Sequence, residues 1–376
     1  MASPLQMSGD GSILQRLKYV NWGLLFLITL FSSIGFTALY SAAGGSFEPW
    51  AEKQMVRYAV FAVGAVIISL IDIRIWYKLA YPIYGVCLVL LLIVEVMGHI
   101  GMGAQRWINL GFIQVQPSEL TKIAVVLALS RYFHSATSED MKNWRFLLVG
   151  AMFLVGPFIL VATQPDLGTS GVIVMAGVAM FWLAGAPVWI FAAGFAAFVA
   201  VVPAGYALLH NYKKKRVEIF LDPESDPLGA GYHITQSKIA LGSGGWEGKG
   251  FLKGTQSHLN FLPEKQTDFI YTLWVEEWGL IGGIFVLLLV GAIVAYSAWI
   301  SSRCRHGFGR MMAFGLGINF FIYAFINIAM VMGLIPVVGV PLVLVSYGGT
   351  AMMAVMIGFG LMMCCNVYKD AKLPRM

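Results

Sequence analysis

Asp268 stands in LPEKQTDFIYTLWVEEWGL (262–280), at the mouth of a long apolar run, with Glu276 and Glu277 further in. Carboxylates are expensive in hydrocarbon and normally face a bundle interior or a water-filled cavity. No basic residue lies three or four positions after Asp268, where the next turn holds Tyr271, Thr272 and apolar side chains. A carboxylate partly withdrawn from water, without a local cation, holds a proton more tightly and is a better general base. Glu276 follows about 12 Å further along a helix, too far to share a proton with Asp268. Asp268 is therefore the candidate base, acting alone. Glu276 and Glu277 are expected to make polar packing contacts deeper in the bundle, and Glu95, near the end of its own apolar run, takes the same reading.

Two further acids open apolar runs. QPSELTK (116–122) carries Glu119 and QPDLGTS (164–170) carries Asp166, each just after a proline suited to the first helical position. Such acids complement helix dipoles and cap N-termini, and for any one alone that reading suffices. Glu119 and Lys122 are spaced i, i+3 and can neutralise one another on one helix face. A buried structural ion pair and a substrate-binding pair both remain open there. Lys53, Arg106, Lys122 and Arg216 supply the surrounding positive charge. Arg216 closes a basic cluster, KKKR (213–216), which reads either as a solvated patch attracted to anionic headgroups or as a phosphate-binding site.

These residues sit in a chain that is 59% hydrophobic and 12% charged, with a mean hydropathy of +0.76. Soluble domains carry about twice that share of charge. An all-α polytopic membrane protein is expected, with about ten spans of ~20 apolar residues each. They read as 19–42, 55–72, 76–98, 117–134, 146–163, 167–186, 188–209, 268–299, 310–335 and 344–367, in a single transmembrane domain over 1–376. Gly185, Ala186 and Pro187 mark a tight turn between two of them. Arg16, Lys18, Arg74, Lys78, Arg131, Lys142, Arg145, Arg303, Arg305, Arg310, Lys369, Lys372 and Arg375 fall on the N-terminal side, whereas the short loops opposite hold Lys53, Arg57 and Arg106. That bias places both termini, 1–18 and 368–376, in the cytoplasm, and the first span reads as retained. The outer face then carries the charged and aromatic stretch GMGAQRWINLGFIQVQPSE and one long extracytoplasmic loop, 210–266, containing short helices. Within it ITQSKIALGSGG reads as a short amphipathic helix ended by glycine. The glycines of LGSGGWEGKGFLKG follow no strand and match no Walker pattern, so they read as turns. His233 and His258 lack ligand spacing, and Cys87, Cys304, Cys364 and Cys365 form neither a disulfide framework nor a metal site.

A carboxylate base, several cations and a groove within reach of lipid suit a substrate with an apolar tail, an anionic linker and hydroxyls. A lipid-linked pyrophosphoryl sugar is such a molecule. The base takes a proton from an acceptor hydroxyl that attacks an anomeric carbon, while cations, with or without a divalent metal, stabilise the departing pyrophosphate. Three rivals stand beside this reading. A lipid flippase would need polar groups at both faces. A proton-coupled transporter would show an internal repeat and broken midplane helices. A non-catalytic scaffold would leave Asp268 dispensable.

The motifs GAQRWINL, QPSELTKIA, QPDLGTS, LDPESDPLGAGYHITQSKIALGSGG, GKGFLKGTQSHLNFLPEKQTDFI, EEWGLIGG and GLIPVVGVPLVLVSYGG closely resemble the SEDS family (shape, elongation, division and sporulation) from about residue 20 to 367. The wording of DPESDPLGAGYHITQSK and GKGFLKGTQSHLNFLPE resembles its elongation branch more than its division branch. The resemblance implies a peptidoglycan glycosyltransferase in the bacterial inner membrane that polymerises lipid II at the outer face. It implies a class B penicillin-binding protein as transpeptidase partner, other elongation-complex proteins and membrane lipids around it, and no nucleic acid. It puts the essential aspartate of a TDF motif at Asp268 and further polar positions at Arg106, Glu119, Lys122, Asp166 and Ser346. It also implies divalent-cation dependence. The sequence offers no dedicated cage, so Mg2+ or Mn2+ would bridge substrate pyrophosphate, and no organic cofactor is expected. Two departures stand out: Gln266 replaces a common histidine before TDF, and PLVLVSYGGT replaces the commoner PLPFVSYGGS.

Overall fold

The computed structural model describes residues 13–374, apart from 102–103, 110–113, 165, 209–229, 260 and 263. Each of the ten apolar runs contains a helix. After a short α1 (Ile13–Tyr19) come α2 (Trp22–Ala42), α3 (Ala51–Leu70), α4 (Ile73–Met97), α5 (Pro117–Tyr132), α6 (Trp144–Thr163), α7 (Leu167–Leu183) and α8 (Val188–Leu208). Two helices lie in the long loop, α9 (Ala230–Ser243) and α10 (Thr255–His258), followed by α11 (Ile270–Arg303), α12 (Gly307–Val331) and α13 (Gly349–Val367). Among the described residues, seven helices are long and apolar enough to cross a membrane.

Capping explains several starts. Asp72, Asn143 and Asp166 accept from the backbone N–H groups of Arg74, Arg145 and Thr169 at 2.8, 3.0 and 3.1 Å, which satisfies donors that a helix N-terminus leaves unpaired. Inside a membrane the sorting of side chains inverts the soluble rule. Val56, Val60, Val63 and Ile67 form an exposed apolar stripe on α3, at helical spacing, as suits a helix that faces an apolar surrounding. The polar and tightly packed centre belongs to α5, α12 and α13. Residues Thr121 to Ser130 of α5 are buried on every side. α13 packs along α3, and α12 packs against α11, α5 and α7.

Three features depart from the expected layout. First, the stretch before α5 forms a small antiparallel sheet, β1 (His99–Gly101), β2 (Ala104–Asn109) and β3 (Gln114–Val115), in the order β1-β2-β3. Backbone polar groups near hydrocarbon need partners, and strand pairing supplies them without water. Second, the 344–367 run becomes helical only at Gly349, and the chain between α12 and α13 is irregular. Pro336 and Pro341 lack the N–H groups a helix would use there.

Third, α11 is broken at Gly279, whose φ of 66° and ψ of −167° suit glycine alone. The loop after α9 repairs the break. Lys249 N and Gly250 N donate to the carbonyls of Glu276 and Glu277 at 3.0 Å each, while Leu280 N and Ile281 N donate to Gly245 O and Trp246 O at 2.9 and 3.3 Å. Gly248 faces this seam so closely that a Cβ there would lie 2.1 Å from Glu277 O.

Candidate functional site

The site assembles at the bundle end where α5, α7, α11 and α13 begin. Asp268 is half-buried, two residues before α11. Its segment is held through its carbonyls. Tyr347 N donates to Gln266 O at 2.8 Å, Ser346 Oγ to Thr267 O at 2.6 Å, and Asn327 Nδ2 to Asp268 O at 2.8 Å. The irregular segment before α13 also passes close to the carboxylate. A Cβ on Gly339 would lie 3.8 Å from Asp268 Oδ2, and one on Gly168 would lie 2.7 Å from Val338 O. The 338–339 stretch therefore separates Asp268 from the start of α7, where Asp166 sits.

Asp166 is buried and lies 3.8 Å from Arg106 on β2. Arg106 Nε donates to Gln164 O at 3.2 Å, and Gln116 Nε2 to Asp166 Oδ2 at 3.3 Å. The sheet thus aims Arg106 at the α7 start, an arrangement its sequence as a loop did not reveal. The i, i+3 reading of Glu119 and Lys122 matches a contact of 2.7 Å between Lys122 Nζ and Glu119 Oε1. The pair lies inside the bundle, with Lys122 only 1% exposed. Its remaining partner is a residue that sequence reasoning missed. Tyr323 of α12 donates its hydroxyl to Glu119 Oε2 and places its ring centroid 4.1 Å from the Lys122 ammonium. A carboxylate with both oxygens engaged and an ammonium over an aromatic face form a desolvated, balanced unit.

Lys53 lies on the exposed side of the α3 start. It lines a cavity of about 450 Å³ with Glu48, Pro49, Glu52, Val56 and Arg57. Arg57 stands 4.9 Å from the Tyr347 ring centroid, and Gln54 Nε2 donates to Ser346 O at 2.8 Å, so α3 meets the Ser346 segment directly. Ser346 is buried, and its Oγ also accepts from Leu342 N at 2.9 Å. Arg216 lies outside the described residues.

Glu276 and Glu277 face the loop rather than the deep bundle, because the break at Gly279 opens α11 toward it. Glu276 is fully buried and accepts from Lys249 Nζ at 2.8 Å, from Gln256 N at 2.8 Å, and from Ser257 N and Oγ at 3.1 and 2.7 Å. It closes the N-terminus of α10. Glu277 takes the hydroxyl of Ser41 and lies 3.2 Å from His258 Nε2. Nearby, burial holds the Lys265 ammonium below the usual lysine range while it donates to Ser257 O at 2.8 Å. The two acids thus fasten the loop beside the Asp268 segment. Tyr323 and Asn327 carried a usable signal, since with Asn319 they are polar residues spaced one turn apart along a mostly apolar helix.

Comparison with known proteins agrees with this architecture. The cell cycle protein family model of FtsW, RodA and SpoVE matches residues 15–371. The peptidoglycan glycosyltransferase MrdB of Escherichia coli K12 is 42% identical over 347 residues, covering 91% of this chain and 93% of that protein. The peptidoglycan glycosyltransferase RodA of Treponema pallidum is 31% identical, covering 91% and 96%. Among solved structures, a chain of a peptidoglycan synthase complex described as coordinating polymerization and crosslinking superposes with a TM-score of 0.82 at 29% identity, over 94% of this chain and 99% of that one. Thermus thermophilus rod shape determining protein RodA gives 0.71 at 25% identity, over 94% and 98%. The chain, a polytopic helical membrane protein with its polar residues gathered where α5, α7 and α11 begin, belongs to the FtsW/RodA/SpoVE family.

Proposed function

We propose that this chain is a peptidoglycan glycosyltransferase of the elongation branch, which polymerises lipid II at the outer face of the cytoplasmic membrane with Asp268 as general base. The observation that carries the proposal is the placement of Asp268: half-exposed at the start of α11, on a backbone held by three neighbouring hydrogen bonds. Family membership and relatives bearing the glycosyltransferase name support the reaction class. The distribution of Lys and Arg supports an outer position for this end of the bundle, with both termini cytoplasmic.

In the proposed step Asp268 accepts the proton of an acceptor sugar hydroxyl. The hydroxyl oxygen forms a bond to the anomeric carbon of the donor, and the carbon–oxygen bond to the lipid pyrophosphate breaks, its electron pair leaving with the phosphate. Arg106, half-exposed beside the buried Asp166, is assigned to that pyrophosphate, with Lys53 along the approach. Arg216 keeps the phosphate-binding role proposed from its basic cluster, outside the described residues. Glu119 and Lys122 form the floor of the site. Among the described residues no three His, Cys, Asp or Glu side chains converge to hold a metal. Mg2+ or Mn2+ is assigned to the substrate pyrophosphate, where it would offset the charge of the leaving group.

A class B penicillin-binding protein is the proposed transpeptidase partner, in keeping with the complex that the chain resembles. A flippase reading is less well supported, because the buried carboxylates among the described residues, Glu119, Asp166, Glu276 and Glu277, all belong to one end of the bundle. The test is polymerisation of lipid II by the purified protein with its partner. Glycan strands from the wild type and none from Asp268→Asn are expected. Full polymerisation by Asp268→Asn would refute the mechanism, and lost polymerisation with partner binding intact would exclude a scaffold role.

A further inference from the structure

We infer that Asn327 and Ser346 are positioning residues, which act on the reaction only through the backbone that presents Asp268. The inference rests on Asp268 being the base. The carbonyls of Gln266, Thr267 and Asp268 are consecutive, and each accepts from a different donor: Tyr347 N, Ser346 Oγ and Asn327 Nδ2. Two of the donors come from the irregular segment before α13 and one from α12. An aspartate just ahead of a helix would otherwise share the fraying of the helix end.

Asn327 is fully buried, and both hydrogens of its Nδ2 are spent on two carbonyls at once, Asp268 O and Val340 O, at 2.8 Å each. It therefore ties the Asp268 backbone to the segment that carries Gly339 past the carboxylate. Ser346 repeats this design one residue earlier, donating to Thr267 O and accepting from Leu342 N. Neither side chain has a polar hydrogen left to offer a substrate through these atoms. Ser346 belongs to the site by holding the chain rather than by touching sugar or phosphate.

α12 extends the arrangement. Tyr323 lies four residues before Asn327, on the same helix face, and holds the Glu119–Lys122 pair. One rigid helix turn thus sets the position of the Asp268 backbone relative to the floor of the site. Catalysis is steep in such geometry, since a shift of about 1 Å in a reacting group can cost about a hundredfold in rate.

The experiment measures lipid II polymerisation by the full chain with its partner, for Asn327→Ala, Ser346→Ala and Asp268→Asn, at equal amounts of folded, monodisperse protein. Both positioning variants are expected to lower kcat by about tenfold or more while the half-saturating lipid II concentration stays within about twofold, the pattern of a group that acts in the transition state alone. The two grips come from different elements, so each variant reports independently should the other destabilise the bundle. A wild-type kcat for a folded variant beside an inactive Asp268→Asn would overturn the inference while leaving the base assignment intact. A raised half-saturating concentration at unchanged kcat would equally overturn it, because that is the mark of a substrate contact. Activity in Asp268→Asn would instead remove the reading on which it rests.

Discussion

Tyr323 and Glu119, 204 positions apart in the chain, meet inside the bundle through a hydroxyl–carboxylate hydrogen bond, with the Lys122 ammonium over the tyrosine ring. The contact joins α12 to α5 at the level of the site. Removing one partner of a buried polar contact strands the other without water, which costs about 1–3 kcal/mol. Tyr323→Phe keeps the ring and removes only the donor. The expected result is a thermal midpoint lower by a few degrees, measured on detergent-solubilised protein. An unchanged midpoint would mean that Glu119 Oε2 needs no donor.

Glu276 fastens the loop to the break in α11. Glu276→Gln keeps its shape but removes the charge that Lys249 Nζ and the α10 amides face. Loosening of residues 245–258 is expected, seen as faster limited proteolysis there than elsewhere in the chain. Equal cleavage rates in wild type and variant would place the fastening in the backbone bonds around Gly279 alone.

At the opposite end, His306 caps α12. Its Nδ1 accepts from Gly309 N at 2.8 Å and its Nε2 donates to Tyr368 O at 3.1 Å, a pattern only the neutral ring can satisfy. Burial pushes its pKa down from 6.5 to about 4. The unfolded chain therefore binds the extra proton more readily than the folded one. The stabilisation is complete above pH 6.5 and is lost as pH falls from there toward 4, a total of about 3 kcal/mol. His306→Asn keeps a capping acceptor without titrating. Between pH 7.5 and 5 the wild-type thermal midpoint should fall more than that of the variant, and parallel curves would rule out His306 as the source.

Arg106 is assigned to substrate phosphate and also to Asp166. Arg106→Ala should raise the half-saturating lipid II concentration by about tenfold, the scale of one charge-assisted contact. An effect on kcat alone would make Arg106 a holder of the α7 start instead.

Much of this molecule was legible without coordinates. Hydropathy is local, and runs of apolar residues bounded by Asp166 or by Gly185 and Pro187 marked helices wherever they occurred. The same local logic found the helix after Ala230, the i, i+3 pair of Glu119 and Lys122, and the position of Asp268 at a helix mouth. What depended on tertiary structure was every partner drawn from a distant segment. Asn327 reaches Asp268 across 59 positions, Ser346 reaches Thr267 across 79, and Ser41 reaches Glu277 across 236. The polar residues themselves can be picked out in sequence, but their partners cannot, because a hydrogen bond leaves no periodic trace in either strand of chain that makes it. Glu276 and Glu277 were likewise placed too deep, since only the φ of Gly279 and the glycine loop packed against it show that the helix opens there. The sequence by itself determined the class of protein and marked Asp268 as the candidate base; the packing of α12 and the Ser346 segment decided how Asp268 is held.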